Sequence, residues 1–188
     1  MASEVYQVIC EIVSLLEKHR IDYLIGGSLS SSVHGIFRAT NDVDILLERA
    51  LLENDALLHD AHERFIVDKK ALVEHHAQGR SYNIFHEPTA FKVDLFPAVN
   101  EFHRQELKRS IVIHPSSSPC AFKVATAEDM ILAKLQWFKK SASERQWQDL
   151  EGMVRITERF DHEYLEKWSE VLGLHALLRK LFSAAATY

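Results

Sequence analysis

The segment Asp42-Val43-Asp44-Ile45-Leu46-Leu47 constrains the fold of this chain more than any other. Its apolar composition reads as a strand. Side chains two residues apart on a strand share a face, so Asp42 and Asp44 project together while Val43 and Ile45 project the other way. A strand interior disfavours Asp, and a carboxylate buried without a cation or donor costs several kcal/mol. A divalent cation would neutralise both charges. Hard oxygen ligands of this kind suit Mg²⁺, which commonly also holds substrate phosphates. The competing explanation is a solvated strand end, with Asp42 serving as a turn residue after Asn41.

The 188 residues fit one ordinary domain, or one domain with a helical extension, and 47% hydrophobic content supports a real core. No apolar run approaches the length of a membrane-spanning helix, and the N-terminus has no basic region leading into an apolar stretch, so neither a transmembrane segment nor a signal peptide is expected. A net charge of −5 argues against a broad nucleic-acid-binding surface. The acidic excess lies in residues 1–94, while residues 95–188 are near neutral. Cys10 and Cys120 stand in apolar stretches and read as buried thiols of a cytoplasmic protein, with a disulfide between them as the alternative.

Periodicity predicts a first helix from Ser3-Glu4 through Lys18-His19-Arg20, with Val5, Val8, Ile9, Ile12, Val13, Leu15 and Leu16 at helical spacing. Tyr23-Leu24-Ile25 is a short buried strand that ends at Gly26-Gly27. A short helix should follow, capped by the Ser28 hydroxyl and closed by Gly35. Leu51 to Phe65 reads as an amphipathic helix, and Ala71 to His76 as a strand. Residues 81–86 and 91–96 read as a hairpin around Glu87-Pro88-Thr89-Ala90. Asn100 to Arg109 reads as a short helix, followed by strands at 111–114 and 121–124. Helices are expected over 127–140, 143–157, 161–171 and 174–185, the first begun by a capping box in which Asp129 replaces the usual Glu or Gln after Thr126. The layout is α+β: a core over residues 1–125, then a small helical portion over 126–188.

Gly26-Gly27-Ser28 follows a strand, where two glycines let the backbone turn sharply and approach a ligand, and where the next helix would offer free N–H groups to an anion. Asp94 lies in Phe91-Lys92-Val93-Asp94-Leu95-Phe96, an environment like that of the Asp pair. If the two strands are neighbours, it closes a three-carboxylate cluster able to hold two divalent ions for an in-line phosphoryl or nucleotidyl transfer. Eleven histidines, among them His59, His62, His75 and His76, show no structural-zinc spacing and read as surface or core residues. Trp137, Phe138, Trp147 and Trp168 fall at helical spacing and read as packing for the helical portion.

The order Ile25-Gly26-Gly27-Ser28, Asp42-Val43-Asp44-Ile45 and then a single later Asp94 resembles the nucleotidyltransferase superfamily with a DNA polymerase beta-like core, over residues 21 to about 150. Val33-His34-Gly35, the Arg38/Thr40/Asp42/Asp44 spacing, residues 125–135 and Arg145-Gln146-Trp147-Gln148-Asp149-Leu150 look like the minimal bacterial and archaeal members, including the abortive-infection toxin type. The resemblance implies a mixed sheet with flanking helices. It also implies an NTP substrate and Mg²⁺, with Mn²⁺ as a substitute, held by Asp42, Asp44 and Asp94. Gly26, Gly27, Ser28, Arg38, Lys134 and Asp149 would contact the nucleotide, Lys134 touching phosphate and Asp149 orienting it. Read from residues alone, Lys134 fits a lysine snorkelling at a helix edge better than a phosphate contact, Asp149 has the same ambiguity as a surface partner of Arg145, and Arg38 is equally a salt-bridge partner of an acid.

The activity expected is transfer of an NMP from an NTP to an acceptor hydroxyl with release of pyrophosphate. The acceptor is open between a tRNA, a protein and a small molecule. A homodimer or an antitoxin partner is also implied. The alternative is an inactive nucleotide- or partner-binding module, a toxin–antitoxin component. A metal-dependent glycosyltransferase ranks below both, because the Asp pair stands directly after Gly-Gly-Ser and the chain is small for that fold.

Overall fold

A computed structural model of the chain describes residues 2–34, 42–48 and 55–186. They form two compact units. One holds the described parts of residues 1–29 and 39–125, the other the described parts of residues 30–38 and 126–188.

In the first unit, strands β1 (Tyr23–Ile25), β2 (Asp42–Leu47), β3 (Phe65–Ile66), β4 (Tyr82–His86), β5 (Lys92–Pro97), β6 (Ile111–Ile113) and β7 (Phe122–Val124) make one sheet in the order β3-β4-β5-β2-β1-β7-β6. The sheet is mixed. β2 pairs with β5 and β1 with β7 in parallel, while β1–β2, β3–β4, β4–β5 and β6–β7 are antiparallel. The β4–β5 pair is the hairpin expected around Pro88, with the chain reversing at Ala90 in the left-handed region, φ 55°.

Helix α1 (Ala2–Lys18) buries one apolar stripe, Val8, Ile9, Ile12, Val13 and Leu16, against the sheet face that presents Ile25, Val43, Ile45, Leu47, Val93 and Leu95. Leu57, Leu58 and Ala61 of α3 (Asp55–Ala61) and Leu72 of α4 (Lys69–Ala77) complete that core. Each such aliphatic side chain contributes about 1.5–3 kcal/mol on full burial. Because strand side chains alternate, committing Val43, Ile45 and Val93 to this core commits Asp42, Asp44, Lys92 and Asp94 to the opposite face. Helix α2 (Gly27–Val33) follows β1 directly, and α5 (Glu101–Arg109), capped by the Asn100 side chain, lies against β1 and β2.

The second unit contains α6 (Ala127–Ser141), α7 (Glu144–Ile156), α8 (His162–Val171) and α9 (His175–Ala185). Met130, Ile131, Leu132, Leu135, Leu150, Met153, Leu165, Trp168 and Leu181 are buried. At the start of α6 the Thr126 hydroxyl accepts from the Asp129 N–H and donates to Asp129 Oδ2 at 2.8 Å. The Asp carboxylate is one methylene shorter than that of Glu and engages the hydroxyl. The Tyr164 hydroxyl donates to its other oxygen at 2.5 Å, so a fully buried carboxylate is held by two hydroxyls.

Several elements differ from expectation. Residues 71–76 belong to helix α4, not to a strand. The Asp68 carboxylate caps that helix by accepting from Ala71 N, and its buried residues, Leu72 and His76, lie four apart. The helix expected to reach Phe65 ends at Ala61, and Phe65 instead starts the edge strand β3. Helix α2 begins at Gly27, so Ser28 lies in its first turn and is not the cap. Gly35, the expected terminator, lies outside the described residues. Cys10 and Cys120, expected to be free thiols, are joined in a disulfide with Cα atoms 5.8 Å apart. Packing α1 across the sheet brings Cys10 to the chain entering β7, a closeness hidden by a separation of 110 residues. Trp137, expected to pack inside, is 53% exposed with the Lys140 ammonium over its ring, whereas Phe138 and Trp147 do pack, with centroids 5.0 Å apart. No helix among the described residues is long and apolar enough to cross a membrane.

Candidate functional site

The register of the parallel β2–β5 pair sets Asp42 beside Lys92 and Asp44 beside Asp94. Neighbouring strands lie about 4.8 Å apart, so three carboxylates and one ammonium share a small patch of one sheet face. Asp94 is the most enclosed of the three acids, its side chain 12% exposed against 39% for Asp42.

Lys92 Nζ donates to Asp94 Oδ2 at 2.7 Å and lies 3.3 Å from Asp42 Oδ2. Its hydrogen bond to Asp94, together with the attraction of both acids, holds the ammonium above the usual lysine pKa. Asp94 Oδ1 is buried and has no hydrogen-bond partner among the described residues. A carboxylate with one oxygen on an ammonium and the other without a partner among the described residues retains an unused acceptor.

Gly27 closes the other side. Its φ is +59°, a left-handed conformation that glycine adopts without penalty. A Cβ placed there would lie 1.7 Å from Asp44 Oδ2 and 2.7 Å from its carboxyl carbon. The Asp44 carboxylate therefore occupies the space a side chain would need. The Gly26 N–H donates to the Asp44 carbonyl at 2.9 Å, pinning the turn to β2. A Cβ at Gly26 would meet nothing within 4 Å. Of the two glycines, only the second is demanded by space.

These features test whether a divalent ion fits. The donor set is all carboxylate oxygen, as Mg²⁺ prefers. One donor is buried and unsatisfied, and the backbone is cut back to admit another. The residues fit such an ion. Among the described residues, however, no three His, Cys, Asp or Glu side chains stand close enough to hold a metal as they are. Asp42 and Asp94 are paired with the Lys92 ammonium instead.

Lys134 on α6 and Asp149 on α7 are brought together in the second unit, with Nζ 3.5 Å from Asp149 Oδ2. Both side chains are largely enclosed, 14% and 11% exposed, so Lys134 is not a lysine reaching into water from a helix edge. Ser28 is half-buried in the first turn of α2. Arg38 lies outside the described residues. Lys92 is the residue that motif reading passes over. The available signal was its place two residues before Asp94 on an alternating strand, which puts both on one face.

No protein-family model matches the sequence, and no curated protein is significantly similar to it. Similarity appears in the fold. An antigenic nucleotidyltransferase-like protein from Paracoccidioides brasiliensis superposes with a TM-score of 0.57 at 15% identity, covering 96% of this chain and 93% of its own. The antibiotic-resistance factor ANT(2'')-Ia superposes with a TM-score of 0.52 at 14% identity, covering 100% and 97%. The α+β architecture, with its mixed sheet and C-terminal helices, is the fold of these nucleotidyltransferase-like structures.

Proposed function

We propose that the chain is a Mg²⁺-dependent nucleotidyltransferase that moves an NMP from an NTP to an acceptor hydroxyl and releases pyrophosphate. The observation that carries this reading is the Asp94 carboxylate, buried with Oδ1 unsatisfied among the described residues and in register with Asp44, whose own carboxylate lies against Gly27. The shared fold supports it. Asp42, Asp44 and Asp94 are the residues that would hold Mg²⁺, or Mn²⁺ in its place. When bound, the ion supplies charge neutralisation at the phosphate oxygens during in-line displacement.

This chain's residues do the rest. Gly26 and Gly27 admit the triphosphate close to the backbone, and the Ser28 hydroxyl donates to a phosphate oxygen. Asp94 Oδ1 accepts the proton of the acceptor hydroxyl as that oxygen bonds to the α-phosphorus. The bond from the α-phosphorus to the bridging oxygen breaks, and pyrophosphate carries that electron pair away. Nucleotide contacts by Arg38, Lys134 and Asp149 are expected from the resemblance alone. The test is transfer of label from α-labelled NTPs to acceptors in a cell extract. Asp44→Asn and Asp94→Asn should each lower transfer by at least about 100-fold, the scale lost with one electrostatic stabiliser of a transition state, while melting as a folded protein. An Asp44→Asn protein that is folded and fully active removes this assignment.

One observation favours a second reading. The Lys92 ammonium already compensates Asp42 and Asp94, so their presence does not by itself require a metal. On that reading the chain is a nucleotide- or partner-binding module, a component of a toxin–antitoxin pair. Calorimetry with the four NTPs, with and without Mg²⁺, separates the two. Binding without turnover on any acceptor supports the module.

A further inference from the structure

Lys92 holds a cation between Asp42 and Asp94, the two acids that flank it. It is the register partner of Asp42 across the parallel β2–β5 pair and stands two residues before Asp94 on β5. Its Nζ is 2.7 Å from Asp94 Oδ2 and 3.3 Å from Asp42 Oδ2. An ammonium and a divalent cation cannot occupy the same point between Asp94 Oδ2 and Asp42 Oδ2, and side by side there each weakens the hold of the other through their mutual repulsion. The ammonium is not locked in place. Its four-carbon stem is flexible, and 34% of the side chain is exposed, so it can swing towards water. Asp94 stays behind with both oxygens available, since Oδ1 already has no partner among the described residues.

We infer that Lys92 is a resident counter-ion of the acid patch, and that a divalent cation enters only by displacing it. This rests on the metal-dependent reading above and adds to it a device that sets metal affinity. While Lys92 is in place, Asp42 and Asp94 are compensated, the patch is stable without metal, and a free ion must compete with a tethered one. Metal affinity is thereby held low until something else favours the ion's entry. A nucleotide would do so, since its phosphates bind the entering ion and attract the released ammonium. The binding of ion and nucleotide is then mutually reinforcing, by the same factor in each direction.

The test is Mn²⁺ binding to the full chain without nucleotide, followed by the electron paramagnetic resonance signal of free Mn²⁺. Lys92→Met keeps the stem and removes the charge. It should bind Mn²⁺ about tenfold more tightly than the unmodified chain, a step expected for a partly exposed ion pair reinforced by cation–cation repulsion. Lys92→Arg keeps the charge and should bind as the unmodified chain does. Adding Asp94→Asn to Lys92→Met should abolish the gain. A melting measurement guards against misfolding. Without metal, Lys92→Met should melt lower than the unmodified chain, because three acids are left facing one another. Saturating Mn²⁺ should then raise its melting temperature by more. If Lys92→Met binds Mn²⁺ no more tightly than the unmodified chain, while binding remains sensitive to Asp94→Asn, the counter-ion role is overturned and the metal site survives. If neither the unmodified chain nor any variant binds Mn²⁺, with or without NTP, the metal-dependent reading falls and the counter-ion role falls with it.

Discussion

Replacing Gly27 with Ala tests the geometry of the site through a single methyl group. Two terms act against the variant. Gly27 has a φ of +59°, and holding an L-residue in the left-handed region costs about 1–2 kcal/mol. The added Cβ would also lie 1.7 Å from Asp44 Oδ2. Non-bonded carbon and oxygen approach no closer than the 3.0 Å that real Cβ atoms respect, so the carboxylate must retreat by more than an ångström. That retreat is available by rotating the Asp44 side chain, so the stability loss should stay near the backbone value, about 1–2 kcal/mol. For a chain of this length such a loss lowers the melting temperature by about 2–8 °C. On the metal-dependent reading proposed above, the displaced carboxylate would no longer share an ion with Asp94, so Mn²⁺ affinity should fall by about 10–100-fold, as for a misdirected ligand. Gly26→Ala is the control, because a Cβ there meets nothing within 4 Å. It should melt within about 1 kcal/mol of the unmodified chain and bind Mn²⁺ equally well. Melting curves and Mn²⁺ titrations of the two variants side by side decide the matter. If Gly27→Ala matches Gly26→Ala in both, the apposition of Gly27 and Asp44 is not what shapes the site.

Two further outcomes follow from a buried carboxylate and a half-buried imidazole outside that patch. Tyr164→Phe removes a hydroxyl donor from the fully buried Asp129 and should destabilise the helical unit by about 1.5–3 kcal/mol in urea unfolding, leaving Mn²⁺ affinity unchanged; a loss under 0.5 kcal/mol would mean the pair contributes little. His103 accepts from the Val99 N–H through Nδ1, and burial pushes its pKa below 6.5, so the folded chain holds it neutral while the unfolded chain takes up a proton. Stability should therefore fall as the pH drops below about 6.5 and level off below the folded-state pKa, and His103→Gln should flatten that slope. An unchanged slope in the variant would assign the pH dependence to other groups.

The acid patch was legible because it is written locally. Asp42 opens an apolar strand, Asp44 and Asp94 each interrupt one, and two-residue alternation puts the first two on one face without knowledge of the fold. The β2–β5 pairing needed only the assumption that two acid-bearing strands are neighbours. The four C-terminal helices were readable from periodicity, and the first of them also from Thr126 as its cap. What stayed hidden depends on distant chain. Residues 71–76 carry a short apolar run that fits a strand, and the Asp68 cap decides for helix. Phe65 continues the apolar pattern of α3 but is drawn into edge pairing with His86. Trp137 lies at helical spacing yet faces water, because the buried stripe of α6 runs through Ile131 and Leu135. Lys92 was visible as a residue but not as a partner of Asp42, since only the register sets those two side by side.

The Cys10–Cys120 bond also gives the chain a covalent topology. Both acid-bearing strands, β4 and the glycine turn lie inside one closed ring of backbone, bounded by cysteines 110 positions apart. Helices α6–α9 hang outside it as an open tail. A single peptide-bond cut anywhere within the ring opens the circle without releasing a piece, so Asp44 and Asp94 remain parts of one molecule even when the segment joining them is severed. A cut in the tail frees a fragment at once. While the bridge is intact, nicking and fragmentation are therefore different events between Cys10 and Cys120 and the same event in helices α6–α9.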